Sequence, residues 1–147
     1  MRVMAVASGG GHWDELMLLH PAYAGCDVTY VTTFKGMADR DGIDAALLLP
    51  DANRDNPGDA WRCLVASVKL IRRHRPEVLI TTGALPGLFC LIVARLLGAR
   101  TIWIDSIANY EVPSLSGRIA LPFASLWLTQ WPHLAKGRKR KYCGALL

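Results

Sequence analysis

Arg2-Val3-Met4-Ala5-Val6-Ala7-Ser8-Gly9-Gly10-Gly11-His12 is the stretch that decides the fold. Val3–Ala7 reads as a buried strand, and the glycines stop it. Trp13-Asp14-Glu15-Leu16-Met17-Leu18-Leu19 then reads as a helix. A strand, a tight turn and a helix N-terminus follow one another directly. Such a turn leaves backbone N–H groups free, and the helix end adds about half a positive charge. Glycines let an anionic group approach the backbone closely. Ser8, Gly9, Gly10 and Gly11 are therefore candidate ligands for a phosphate or pyrophosphate. His12 stands where a proton acceptor would meet a ligand held there, and imidazole titrates near neutrality.

Two familiar glycine motifs do not fit. A Walker loop ends in Gly-Lys-Ser/Thr, and no lysine follows this turn. The dinucleotide fingerprint wants a third glycine where Asp14 stands, and a side chain there obstructs close strand–helix packing. Nicotinamide or flavin binding is set aside, and no cofactor is predicted.

Outward from the turn, apolar strands alternate with helical stretches. Strands are expected at Val3–Ala7, Asp27–Thr33, Ala45–Leu49, Glu77–Thr82, Thr101–Asp105 and Leu126–Gln130, with a short seventh at Tyr142–Leu147. Helices are expected from the glycine turn to about His20-Pro21, over Asp59–His74 and over Pro86–Leu97. Lys35–Asp44 and Pro50–Gly58 read as polar loops. Alternation of this kind implies an α/β fold, a Rossmann-like, mostly parallel sheet with flanking helices. Ligands of such sheets bind beyond the carboxyl ends of the strands. The turns there are Ser8–His12, Thr32–Lys35, Thr81–Pro86 and Asp105–Glu111, which bring Gly83, Asp105, Ser106, Asn109 and Glu111 to one polar rim. Asp105 or Glu111 is the second choice as base after His12, or orients it.

The chain has 147 residues, 52% apolar and 20% charged, enough for one domain with a real core spanning residues 1–147. The net charge is +5, with basic clusters at Lys69–Arg75 and Lys136–Lys141. Such clusters favour anionic lipid, nucleic acid or phosphorylated ligands. Aromatic and basic residues are not interleaved as in single-strand binders, which argues against nucleic acid. Cys26, Cys63, Cys90 and Cys143 lack zinc-like spacing, so no metal site is expected and free thiols fit a reducing cytoplasm. No apolar run is long enough to span a bilayer, since Ala84–Leu97 contains Pro86 and Arg95.

These landmarks together resemble a known family. Ser8-Gly9-Gly10-Gly11-His12 is similar to its N-terminal glycine–histidine loop, and Arg75-Pro76-Glu77-Val78 to its Arg-Pro-Asp-Val strand. Leu115-Ser116-Gly117-Arg118 resembles its Leu-Ser-Gly-Lys loop, which adds Ser116 to the candidate binding residues. Gln130-Trp131-Pro132 and Tyr142-Cys143-Gly144 resemble its Gln-Trp-Pro and Tyr-x-Gly signatures. The family is the acceptor-side, membrane-associating subunit of two-subunit lipid-linked sugar transferases. Its eukaryotic members anchor the enzyme that adds the second N-acetylglucosamine to dolichol diphosphate, and its bacterial relatives serve polysaccharide assembly.

The resemblance implies the N-terminal half of a GT-B glycosyltransferase. It implies a donor-binding glycosyltransferase subunit as partner, docked through Tyr142, Cys143, Gly144, Ala145, Leu146 and Leu147. It further implies a UDP-sugar donor held mainly by that partner and a lipid-diphosphate-linked sugar as acceptor. Location would be cytoplasmic, peripheral on the cytoplasmic face of the inner membrane. Two departures matter. Eukaryotic members begin with a membrane helix, whereas this chain begins in a strand, so membrane contact is expected to be peripheral. The family often has Glu-Ser where this chain has Asp105-Ser106, a shorter reach. A non-catalytic scaffold that recruits a catalytic partner to the membrane is the alternative.

Overall fold

A computed structural model describes all residues, 1–147. The strands are β1 (Arg2–Ala7), β2 (Asp27–Thr32), β3 (Leu47–Leu48), β4 (Val78–Thr81), β5 (Arg100–Ile104), β6 (Leu126–Thr129) and β7 (Arg140–Tyr142). They form one seven-stranded sheet in the order β3-β2-β1-β4-β5-β6-β7. Every pairing is parallel, so the sheet is wholly rather than mostly parallel. Parallel strands need crossovers and are covered on both faces. The side-chain alternation of β1 shows this: Met4 and Val6 enter one core layer, while Val3, Ala5 and Ala7 enter the other.

The helices are α1 (Gly11–Leu18), α2 (Lys35–Arg40), α3 (Pro57–His74), α4 (Ala84–Leu96) and α5 (Leu115–Ala120). The first layer packs α3, α4 and α5 over Trp103 and Trp127, both fully buried. The second packs α1 over Tyr23 and Tyr30.

Where the helices differ from expectation, prolines and caps explain it. Helices α3 and α4 begin at Pro57 and Ala84, two residues earlier than expected, with Pro57 and Pro86 inside their first turns. Proline is tolerated there because first-turn N–H groups have no intrahelical acceptor anyway. The Asn56 side chain caps α3 by accepting from Gly58 and Asp59 N–H groups at 3.1 and 3.3 Å. Helix α1 ends at Leu18, and Pro21 lies in a separate 3₁₀ turn, His20–Tyr23. The expected polar loop at Lys35–Asp44 contains α2, too short for an apolar period to show. It is tied down by Arg40, which bridges Asp14 and Asp41 at 2.6 and 2.8 Å. Strand β3 is only Leu47–Leu48. The last strand is Arg140–Tyr142, not Tyr142–Leu147: the basic run itself pairs with β6, and the Arg140 guanidinium stacks over the Trp127 ring.

Candidate active site

The turn after β1 reverses the chain at Gly10, whose φ of 75° favours glycine. The Gly10 carbonyl accepts from Trp13 and Asp14 N–H groups and starts α1. The Gly9 N–H, expected to be free at this turn, instead donates to Thr33 Oγ1 at 3.1 Å. No protein acceptor engages the N–H groups of Gly10, Gly11 and His12.

His12 is half-buried, and its Nδ1 lies 2.9 Å from the Thr82 carbonyl. A carbonyl only accepts, so Nδ1 carries the proton and the neutral ring keeps its lone pair on Nε2. The Thr82 hydroxyl returns a hydrogen bond to the His12 carbonyl at 2.5 Å. The turns after β1 and β4 are thus clasped together. Gly83 makes room for the clasp: a Cβ there would lie 2.9 Å from His12 Cε1, and its φ is 129°. The space that a side chain would take at Gly83 holds the imidazole.

Beside the ring opens a cleft of about 360 Å³, lined by His12, Asn53, Arg54, Ser106, Asn109 and Ser116 among others. The fold therefore brings together four of the residues singled out in the sequence. Ser8, Gly9, Gly10, Gly11 and Gly83 adjoin His12 in the chain or in space but do not line the cleft. Arg54 and Asn53 escaped the sequence reading. They sit in the loop after β3, and the carboxyl-end rule that selected the other turns applies to that strand as well. Arg54 is exposed and in no ion pair, and it is the one cation of the lining.

The carboxylates proposed as bases lie elsewhere. Asp105 is 2% exposed. Its Oδ1 accepts from the Ser114 hydroxyl at 2.5 Å and Trp103 Nε1 at 3.1 Å, and its Oδ2 from Ser114 N–H at 2.9 Å. Ser114 in turn caps α5 by accepting from Gly117 N–H at 2.8 Å. Asp105 thus holds the wall of the cleft instead of lining it. Glu111 is exposed on the outer part of that loop and does not line it either. His12 is the one imidazole or carboxylate in the lining.

The loop between β5 and α5 is pinned from several sides. Trp131 Nε1 donates to the Ile107 carbonyl at 2.7 Å. His133 Nε2 donates to the Tyr110 carbonyl at 2.6 Å, and the Tyr110 and Trp131 rings meet edge to face. The Gln-Trp-Pro stretch is therefore the grip on this loop. Tyr142, the last residue of β7, is exposed; of the segment after it, Leu146 is half-buried in the second core layer, while Cys143, Gly144, Ala145 and Leu147 are exposed. A larger groove, about 720 Å³, lies at the opposite edge of the sheet between Val68, Leu97, Arg2 and Arg75. It holds no histidine and lies away from the carboxyl ends.

The family model for "Oligosaccharide biosynthesis protein Alg14 like" matches residues 58–146. The chain belongs to this Alg14-like family. A UDP-N-acetylglucosamine transferase subunit ALG14 of Yarrowia lipolytica is 36% identical over 88 residues, covering 55% of this chain and 41% of its own length. Its counterpart in Schizosaccharomyces pombe is 37% identical over 99 residues, covering 60% and 46%. These matches span less than half of the relatives' length. In structure, Acinetobacter baumannii MurG superposes with a TM-score of 0.77 at 17% identity, over 96% of this chain and 45% of MurG. UDP-N-acetylglucosamine 2-epimerase of Rickettsia bellii gives 0.72 at 10% identity, over 99% and 45%. At such identities the likeness is one of fold: a Rossmann-like lobe of the GT-B type. The Alg14-like match includes β4, β5 and the Gln-Trp-Pro grip, and begins after the glycine turn.

Proposed function

We propose that this chain is the acceptor-side subunit of a two-component, inverting glycosyltransferase. It transfers a sugar from a UDP-sugar to a polyprenyl-diphosphate-linked sugar in polysaccharide or oligosaccharide biosynthesis. The observation that carries the reading is His12: its Nδ1–H is anchored on the Thr82 carbonyl, and its ring lines a cleft that contains Arg54 and no carboxylate. In this reading Nε2 takes the proton of the acceptor hydroxyl. The resulting oxygen forms the new bond to the anomeric carbon as the bond to UDP breaks, and UDP leaves with the electron pair. The N–H groups of Gly10, Gly11 and His12 and the Arg54 guanidinium offer positive charge to a diphosphate.

A separate donor-binding subunit supplies the UDP-sugar site, and the exposed residues among Tyr142–Leu147 are its docking segment. The relatives' name, transferase subunit, supports that division. Membrane contact is peripheral, on the cytoplasmic face of the inner membrane. No helix is long and apolar enough to cross a membrane. The α3–α5 layer exposes Trp61 and Ile119 beside Arg62 and Arg118, a combination suited to an anionic leaflet. The test is reconstitution with a donor-binding subunit, UDP-sugars and a prenyl-diphosphate sugar. Turnover is expected only with both chains present, and robust turnover by this chain alone overturns the half-enzyme reading.

A further inference from the structure

Residues far apart in the sequence converge behind the cleft wall. Glu15, on α1, is 4% exposed, and Gln130, just past β6, is 3% exposed. Glu15 Oε1 accepts from the Ile107 N–H at 2.8 Å, the Ser106 hydroxyl at 3.2 Å and Gln130 Nε2 at 3.1 Å. Gln130 Nε2 also donates to the Asp105 carbonyl at 3.2 Å, while its Oε1 accepts from the Leu146 N–H at 2.9 Å.

The chemistry of these groups fixes the direction of the amide. An N–H can only donate, and a carbonyl or carboxylate can only accept. Gln130 therefore presents its donor end to the cleft loop and its acceptor end to Leu146. A flip would set donor against donor and acceptor against acceptor. The second oxygen of Glu15, Oε2, is buried without a protein partner, so the hold of this carboxylate on the loop rests on Oε1 alone. One donor to that oxygen comes from the amide that holds Leu146. A buried network of this kind transmits a change at one end because each broken bond leaves a desolvated polar group behind.

We infer that Gln130 and Glu15 are positioning residues that couple the segment Cys143–Leu147 to the cleft wall at Ser106–Asn109. Binding at that segment would then set the geometry of Ser106 and Asn109, both of which line the cleft. That the occupant is the donor-binding subunit rests on the function proposed above; the coupling within this chain does not. Partner docking would order the acceptor cleft through the carboxyl end of β6, without the partner touching the loop.

Amide hydrogen exchange on the full chain tests this without any activity. Gln130→Glu keeps an acceptor for Leu146 and removes both N–H donors, leaving at most one O–H where the two buried carboxyls share a proton. It should speed exchange at Ile107 by about tenfold or more, while Leu146 stays protected. Leu146→Pro removes the donor at the other end and should speed Ile107 severalfold, whereas Leu146→Ala, which keeps the N–H, should not. Glu15→Gln retains an acceptor and should preserve protection that Glu15→Ala loses. Unchanged Ile107 exchange in both Gln130→Glu and Leu146→Pro overturns the coupling. Equal acceleration at the β1 amides also overturns it, since the pair would then serve general stability. With a donor-binding subunit added, Ile107 should slow in the native chain and not in Gln130→Glu. If no such subunit binds the segment, the proposed function fails while the exchange results of the isolated chain still decide the coupling.

Discussion

The turn after β1 and the loop after β5 lie on the same edge of one sheet, yet they spend their polar groups in opposite ways. At Gly10–His12, backbone N–H groups meet no protein acceptor, and the imidazole is anchored through one nitrogen only. At Asp105–Ser114, the Asp105 carboxylate accepts from three donors, and the Ile107 and Tyr110 carbonyls are held by indole and imidazole. The first is a site with unused bonding capacity. The second is a preorganised wall that has little left to give a ligand except Asn109, since even the Ser106 hydroxyl already donates to Glu15 and accepts from the Ala108 N–H. A titratable residue on a rim is thus not yet a catalytic one: His12 and Asp105 share the edge and differ in what they have left to offer.

Removing His12 should give the largest effect. His12→Ala takes away the proposed base and should lower turnover of the reconstituted complex about 10²–10⁴-fold, roughly 3–5 kcal/mol of barrier. Folding and partner binding should persist, because the ring is half-buried and its one side-chain hydrogen bond is to a carbonyl. Single-turnover rates and a melting curve on the same sample check this. Near-normal turnover would remove His12 from the mechanism and favour the scaffold reading. Gly83→Ala sharpens the comparison, since its Cβ would press on the ring and should depress turnover with His12 still in place.

Asp105→Ala should act through stability instead. It strands the Trp103 indole N–H and the Ser114 N–H in a buried site, and the Ser114 hydroxyl loses the acceptor for its hydrogen. Buried unpaired donors cost about 1–3 kcal/mol each, so a loss of about 3 kcal/mol is expected, or roughly 6–12 °C in Tm for a domain of this size. Denaturant melts check it. A stable Asp105→Ala protein with turnover reduced as far as in His12→Ala would show that the carboxylate acts on substrate after all.

How far the sequence carries such distinctions depends on the kind of signal. The sheet, its parallel order of elements and the glycine–histidine turn are written in local patterns: apolar runs, glycine stops and helical spacing. The carboxyl-edge rule then gathers His12, Ser106 and Asn109 from the sequence alone, and the family resemblance of Leu115-Ser116-Gly117-Arg118 adds Ser116. Arg54 was missed because β3 is two residues long and its loop looked like a plain connector. The role of Asp105 was not legible, since it depends on a serine nine residues on and on a tryptophan two residues back. Glu15 lay hidden in what reads as an ordinary polar position of α1. Its importance comes from Ser106, Ile107 and Gln130, 91 to 115 positions away. Pairings over that range leave no periodic trace in a single chain.

The smallest expected effect belongs to Glu111, and it sharpens the comparison from the other side. This carboxylate shares the β5 loop with Asp105 but is exposed, does not line the cleft and takes no part in the ion pairs made by Arg40 and Arg62. What fixes its neighbourhood is backbone: the adjacent Tyr110 carbonyl is held by His133, and the Tyr110 ring packs on Trp131. A surface side chain without partners contributes within about 0.5 kcal/mol to stability. Glu111→Ala should therefore leave Tm within about 2 °C and turnover of the complex within about twofold, a change no larger than 0.5 kcal/mol of barrier. A pH–rate profile of the variant supplies the more searching measurement. If Glu111 served as base, its removal would erase the acidic limb of the profile; with His12 as base, the limb stays where it was. A large loss of turnover with the limb shifted would mean that the loop swings inward on substrate binding and brings Glu111 to the cleft. The β5 loop would then be a closing element and not a fixed wall.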